Sequence, residues 1–294
     1  MIGYLLAIGA AAIWSAVALS ATRIVRYFGS YNYNLLRLLG IIVFFFPYIY
    51  INWQSIYFDQ SIFTAIVLSS IIGIIIGDTF LFICLKRLGP RRQALLFSMQ
   101  IPFTIILAEI FLQTLPSLIE LIGCSLIFLG IIIAIQFNRT IPDDDLENIQ
   151  GNKYTGLFAG IGLALCQSIG IILMKPALVS TDPIIVSYLR VIVAAIIMFG
   201  SLFFIKNNQL WEKMKDIKKT VFSIFLGFMG MGVGMTMLII ALKNGDPGVI
   251  STLSSTMPIM IIPILWIVTK NYAGHLAVIG ATLTCIGAGI IFLY

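Results

Sequence analysis

Four ionisable side chains fall inside long apolar segments of the sequence, where a charge is hard to accommodate. Asp78 and Glu109 are acids, whereas Arg37 and Arg190 are bases. A charge at the centre of a membrane helix costs about 2.5–3.5 kcal/mol on insertion scales, so it is a functional hypothesis by default. Either acid, held in a low dielectric, can carry a proton or bind the ammonium group of a substrate. The two arginines either pair with an acid or with backbone carbonyls, or contact the substrate.

Uncharged polar and aromatic side chains are the next candidates for substrate contact. Thr79 directly follows Asp78, and Trp14, Gln100 and Gln167 lie in other apolar segments. If the last three face a common axis, they line one cavity with an aromatic wall and amide donors, which suits a small amphipathic solute. The alternative is that the aromatic ring packs between helices and the amides form hydrogen bonds from helix to helix.

The segments that carry these residues are long enough to cross a bilayer. The chain of 294 residues is 60% hydrophobic and 10% charged, whereas soluble domains are about 25% charged. A membrane helix needs about 20 apolar residues, and each one must close its own backbone hydrogen bonds because lipid offers none. The sequence therefore predicts an all-α integral membrane protein with ten transmembrane helices. They are predicted at 2–22, 32–51, 62–85, 92–114, 117–137, 154–174, 184–205, 220–242, 248–268 and 274–293.

The sequence contains an internal repeat, because residues 3–133 and 156–290 align along nearly their whole length. Arg37 recurs as Arg190, for example, each directly after a leucine. Each copy holds five predicted helices, an odd number, so the second copy begins on the opposite side of the membrane. The sequence thus predicts two inverted five-helix repeats, an architecture in which transporters bind substrate near the midplane.

Three parts follow from the repeat: a first repeat over 1–137, an acidic cytoplasmic linker over 138–153 and a second repeat over 154–294. Acidic runs usually stay hydrated, so the linker is predicted to be a solvated connector. Its acids are Asp143, Asp144, Asp145 and Glu147. Within the repeats, Pro102 and Pro258 occupy equivalent positions and are predicted to bend their helices, because proline removes a helical hydrogen bond.

The distribution of basic residues predicts the orientation in the membrane. With ten helices, fourteen lysines and arginines fall on one side and only Lys175 and Lys243 on the other. The positive-inside rule then places both termini outside the cytoplasm of a cell (inner) membrane. The net charge of +6 is explained by this basic rim, so no nucleic acid is expected as a partner. The expected partners are a small-molecule substrate, the lipid bilayer and protons as a candidate coupling ion; a monomer and a homodimer both fit the sequence.

Nothing in the sequence favours an enzyme, a cofactor or a metal site. The one histidine, His275, is predicted in a loop, and the four cysteines fall in predicted helices without metal-ligand spacing. No phosphate-binding glycine loop of the Walker type is present, so ATP-driven transport by this chain alone is not expected.

In its order of short motifs, the sequence resembles the EamA family of the drug/metabolite transporter superfamily. The first repeat carries Trp14 in its opening helix, Arg37 after a leucine in the second, Pro102 before Glu109 in the fourth, and Gly123-x6-Gly130 in the fifth. The second repeat departs from this pattern, with Gln167 at the position of Trp14 and Leu265 at that of Glu109. The resemblance implies ten-helix carriers of small polar metabolites, amino acids among them.

These observations together predict a secondary active transporter that moves a small polar metabolite, such as an amino acid, by alternating access. One alternative is a lipid-linked flippase of similar fold, which requires a cavity that opens laterally to lipid. A second alternative is a non-transporting membrane scaffold or sensor, which tolerates neutralisation of its intramembrane charges.

Overall fold

The structure is a computed structural model, and every regular element in its described residues is helical. Fifteen α-helices are interrupted in two places by π-helical segments, Ser70–Gly77 and Phe228–Gly234. The described residues are 2–52, 59–112, 117–136, 146–205, 208–244, 247–270 and 274–293. The helices are α1 Ile2–Phe28, α2 Ser30–Asn52, α3 Gln60–Ser69, α4 Asp78–Leu88, α5 Pro90–Phe97, α6 Gln100–Leu112, α7 Leu118–Gln136, α8 Lys153–Ser180, α9 Pro183–Ile205, α10 Asn208–Met214, α11 Ile217–Gly227, α12 Met235–Lys243, α13 Pro247–Ser254, α14 Met257–Thr269 and α15 His275–Leu293.

Nine of the ten predicted apolar segments correspond, within the described residues, to helical stretches long and apolar enough to cross a membrane. The exception is the fourth, predicted over 92–114, which consists of the two shorter helices α5 and α6. Large apolar side chains such as Val43, Leu121 and Ile267 are exposed on the outer surface. That outer surface suits a lipid environment, because a soluble protein rarely exposes so much contiguous apolar area.

The fourth helix of each repeat is divided in two close to its proline. In the first repeat α5 ends at Phe97 and α6 begins at Gln100, two residues before Pro102. In the second repeat α13 ends at Ser254 and α14 begins at Met257, with Pro258 in its first turn. Both helices are therefore interrupted by a two-residue turn beside the proline that was predicted to bend them, where the proline lacks an N–H to donate to the preceding turn.

The two repeats are interleaved rather than placed side by side. The first helix of the second repeat, α8, packs against α3, α4 and α6 of the first. The first helix of the chain, α1, packs in the same way against α12 and α14 of the second. The centre of the molecule is therefore built from both halves, and residues on α1 and α8 lie against the third helix of the other repeat.

The fifth helices, α7 and α15, form the most extensive helix pair of the described residues. A β-carbon on Gly130 would collide with the carbonyl oxygen of Gly280, and one on Gly280 would collide with that of Gly130. Gly123 and Gly287 face each other in the same reciprocal manner. Since the earlier glycine of α7 meets the later glycine of α15, the two helices run antiparallel, and the absent side chains let their backbones touch.

The expectation of a solvated linker is wrong for Glu147, which is buried. Its carboxylate lies 3.0 Å from Arg91 and 3.6 Å from Arg92, and the side chains involved are only 3% exposed. One carboxylate oxygen also accepts from the backbone N–H of Arg91 at 3.2 Å. The physical reason is that two arginines at the start of α5 need a counter-charge, which the linker supplies. Asp143, Asp144 and Asp145 lie outside the described residues.

Main-chain contacts hold the described part of this linker, residues 146–153, against the first repeat. The side chain of Arg26 donates to the carbonyls of Leu146 and Asn148 at 3.2 and 3.1 Å. Gln150 exchanges two hydrogen bonds with Arg87, both of 2.9 Å. This described part of the linker thus contacts α1, α4 and α5.

Candidate functional site

The candidate site is centred on Asp78, at the first position of α4. It follows directly after the π-helical segment Ser70–Gly77 and is buried. One carboxylate oxygen forms a short ion pair with the guanidinium of Arg37 from α2. The other accepts a hydrogen bond of 2.8 Å from the Nε2 atom of Gln167 on α8. Both oxygens of Asp78 are therefore engaged, one by each repeat.

Arg37 is held in place by further partners around the ion pair. Its Nε atom donates to the side-chain oxygen of Asn34 at 3.1 Å, and its guanidinium lies 4.9 Å from the ring centroid of Phe82. Asn34 in turn donates to Thr79 at 3.2 Å and to the carbonyl of Ile74 at 3.0 Å. This arrangement fixes the guanidinium, because rotation would break several contacts at once.

Arg190 lies on the other side of Asp78 but has a different environment. One of its terminal nitrogens donates to the carbonyl of Ser69 at 3.0 Å, and the other contacts the thioether sulfur of Met174 at 3.1 Å. Its Nε atom is buried without a hydrogen-bond partner among the described residues. A β-carbon on Gly73 would lie 2.7 Å from the guanidinium, so the glycine creates the space that Arg190 occupies.

These four side chains, Arg37, Asp78, Gln167 and Arg190, are called the central cluster below. It contains two guanidinium groups and one carboxylate, which leaves one excess positive charge when all are ionised. Arg37 pairs with an acid and Arg190 with a backbone carbonyl. These are the two kinds of partner that sequence analysis considered for the arginines as an alternative to substrate contact. A buried cation without a full counter-charge is costly unless another anion reaches it.

The two π-helical segments make matching contacts with the first helix of the other repeat. The Nε2 atom of Gln167 donates to the carbonyl of Gly73 at 3.3 Å, and the Nε1 atom of Trp14 donates to that of Gly230 at 2.8 Å. Trp14 and Gln167 occupy equivalent positions of the two repeats, as do Gly73 and Gly230. Single π-helical turns are frequent at functional sites, because they release a backbone carbonyl from its usual partner.

A similar exchange occurs at the interruptions of the two fourth helices. Ser168 donates to the carbonyl of Gln100 at 2.9 Å, and Ser15 donates to the carbonyl of Met257 at 3.4 Å. Gln100 therefore touches α8 through its main chain, and its side chain is half-buried. Each first helix thus satisfies carbonyl groups of two helices from the opposite repeat.

The structure brings together most of the site residues predicted from sequence. Arg37, Asp78, Thr79 and Gln167 form one connected network, which Arg190 adjoins. Trp14 lies instead against the second π-helical segment. The side chain of Glu109 lies outside the described residues.

Sequence analysis missed Asn34, which positions both Arg37 and Thr79. Its spacing of three residues before Arg37 on a helix was an available signal, because side chains at that spacing share a face. Among the described residues, no group of three or more histidine, cysteine or acidic side chains could hold a metal ion.

Comparisons with known proteins identify the family. The EamA-like transporter family matches residues 1–136 and 154–293, which is nearly the whole chain in two parts. A comparison with curated protein sequences gives no significant match. The fold is similar to those of solved structures; a crystal structure among them has a TM-score of 0.62 at 15% sequence identity, over 99% of this chain and 96% of the other. The apolar helices of the present chain and the two-part family match show that it is a multi-pass membrane protein and that it belongs to the EamA-like transporter family.

Proposed function

We propose that this protein is a secondary active transporter that moves a small polar metabolite across the cell membrane by alternating access. The observation that carries the proposal is the central cluster, a buried group of charges that both repeats contribute to. Intramembrane charges that face a helix bundle typically mark the path of a substrate or an ion. Membership of a transporter family supports the same function.

The proposal includes ten transmembrane helices in two inverted repeats. In favour of inversion, the fifth helices are antiparallel and meet through reciprocal glycine contacts. The hydrogen bonds of Trp14 and Gln167 are reciprocal in the same way, because each residue donates to the π-helical segment of the other repeat. In this fold, rocking one part against another alternates access to a site at the repeat interface.

The charges of the central cluster favour a substrate that carries a carboxylate. Both oxygens of Asp78 already have partners, so this acid is poorly placed to bind a substrate ammonium. Arg190 has a guanidinium nitrogen without a partner, and a carboxylate is the group that a guanidinium binds most strongly. An amino acid bound through its carboxylate satisfies this requirement and leaves its side chain to the half-buried Trp14 and Gln100.

Counterflow in proteoliposomes tests this function directly. We expect the purified protein to exchange carboxylate-bearing metabolites at least tenfold faster than their decarboxylated amines, because only the former neutralise Arg190. The Arg190→Gln variant should lose this preference, whereas Lys153→Gln, which changes an exposed lysine at the start of α8, should keep it.

Other outcomes of that assay would support the alternatives. Translocation of a fluorescent lipid-linked substrate without exchange of any soluble solute would favour the flippase. Absence of both activities from a folded protein would favour a scaffold or sensor.

The orientation leads to a separate prediction about the termini. With both termini outside the cytoplasm, a phosphatase that folds only outside should be active when fused to the C-terminus. A fluorescent protein that matures only in the cytosol should stay dark at the same position. Bright fluorescence with an inactive phosphatase would reverse the orientation and leave the fold unchanged.

A further inference from the structure

A polar cavity of about 300 Å³ lies at the junction of α1 and α2, and no residue of the central cluster is among the residues that line it. Its walls include the side chains of Arg26, Lys86 and Lys213, together with the turn Gly29–Asn32. Among the described residues that line it, none is acidic. The cavity is therefore a concentration of positive charge that the structure builds from three separate helices.

The two lysines differ in how firmly they are held. Lys213 donates to the main-chain carbonyl of Tyr27 at 2.7 Å and lies 5.7 Å from the centroid of its ring. This contact orients the ammonium group but brings no negative charge to it. Lys86 is half-buried, and no hydrogen bond or ion pair of its side chain is present among the described residues.

Two described acids from neighbouring parts of the chain have partners of their own. Glu147 pairs with Arg91 and Arg92, and Asp216 pairs with Lys219 at 2.7 Å. Neither lines the cavity. Glu212, which precedes Lys213 on α10, is exposed and does not line the cavity either. An external anion can therefore supply the counter-charge that the described lining residues lack.

The backbone also contributes positive charge to the cavity. Gly29 has a φ of +87°, which lets the chain pass from α1 into the 23-residue helix α2 through a single residue. The cavity consequently faces the first turn of α2, where amide groups have no partner within the helix. The start of α2 carries the positive end of the helix dipole, which adds to the positive charge of the lysines at the cavity.

We propose that this cavity binds a phosphate-type anion, either the headgroup of an anionic lipid or a soluble phosphate. Three cations and a helix start match a compact, multiply charged oxyanion better than a single carboxylate. The neighbouring helix α10 exposes Trp211 to 53%, and exposed tryptophan is enriched at the level of lipid headgroups. On the proposed orientation this is the cytoplasmic leaflet, which carries anionic lipids.

The test uses the purified full-length protein in neutral detergent at constant ionic strength. Its melting temperature is measured while phosphatidylglycerol, phosphatidylcholine or inorganic phosphate is titrated in. The test variants are Lys86→Gln and the double variant Lys86→Gln/Lys213→Gln. The control is Lys153→Gln/Lys218→Gln, which changes two exposed lysines outside the cavity and removes the same charge.

We expect phosphatidylglycerol to stabilise the unchanged protein and the control at concentrations at least tenfold lower than it stabilises the double variant. Phosphatidylcholine should have no such effect on any of them. An equal response to inorganic phosphate identifies a soluble anion as sufficient, and a response to phosphatidylglycerol alone identifies the headgroup. Equal anion responses in all variants, or no response in the unchanged protein, would overturn the proposal. If the double variant does not fold, the response of Lys86→Gln to phosphatidylglycerol tests the proposal, because the Lys86 ammonium makes no described contact on which folding depends.

Discussion

Replacement of Asp78 by asparagine is expected to abolish gradient-driven transport. The carboxylate is the only acid of the central cluster, so it is the group there that can exchange a proton with a substrate anion. Asparagine keeps the size of the side chain and a hydrogen-bond acceptor for Gln167, but it cannot bind a proton. Accumulation driven by a pH gradient, measured in proteoliposomes, should fall to the level of empty vesicles.

The same substitution should also reduce stability, which has to be separated from the loss of transport. Removing one partner of a buried ion pair costs about 3–5 kcal/mol, because the other charge is left behind. The double variant Arg37→Gln/Asp78→Asn removes both charges and should recover most of this loss. If the only role of Asp78 is to hold Arg37 in place, the double variant should recover transport to the same extent as it recovers stability.

We expect the double variant to fold and still fail to couple transport to a proton gradient. Asp59→Asn is the matched control, because Asp59 is an exposed acid that caps α3 and lies outside the central cluster. Glu109→Gln should give a weaker effect than Asp78→Asn. Full pH-dependent accumulation by Asp78→Asn would eliminate Asp78 as the proton carrier.

Replacement of Glu147 by glutamine is expected to be the most destabilising single change in the linker. Glutamine retains an acceptor for the backbone N–H of Arg91, but it removes the only carboxylate described next to Arg91 and Arg92. Two guanidinium groups would then remain buried without that counter-charge. The expected loss is again about 3–5 kcal/mol, seen as a lower melting temperature in detergent.

The matched control for this prediction is Glu212→Gln on the short helix α10. Glu212 is exposed, and surface ion pairs contribute only about 0–1 kcal/mol. The two variants carry the same change of charge and side chain and differ in burial. Equal melting temperatures for both would mean that the buried pairs of Glu147 do not stabilise the fold.

The helices and the family were accessible from sequence because both depend on local patterns. Apolar length alone located nine of the described helical stretches that can cross a membrane. The interruption near Pro102 was also predictable, since the missing donor is a property of one residue. The hydrogen bond from Ser168 on α8 to the carbonyl of Gln100 beside that interruption was not predictable, because it depends on how the two repeats pack.

The surroundings of the charged residues were harder to predict from the sequence. Glu147 stands beside three aspartates and four residues before a glycine, a composition typical of a hydrated loop. Its burial depends on Arg91 and Arg92, more than fifty residues earlier in the chain. Arg37 and Asp78 were recognisable as costly charges, but their pairing with each other required the packing of α2 against α4.

The glycine contacts between α7 and α15 have a consequence for how the bundle assembles. Each helix offers the same patch to its counterpart, which makes the contact isologous, the arrangement found in symmetric homodimers. Two separate five-helix chains with such a patch would meet at a rate that depends on their abundance in the membrane. In the joined chain, the linker keeps one half next to the other, so their effective concentration does not depend on abundance in the membrane. Dilution in the bilayer therefore cannot separate the halves, and the Gly123–Gly287 and Gly130–Gly280 contacts need not be strong enough to hold two independent molecules together.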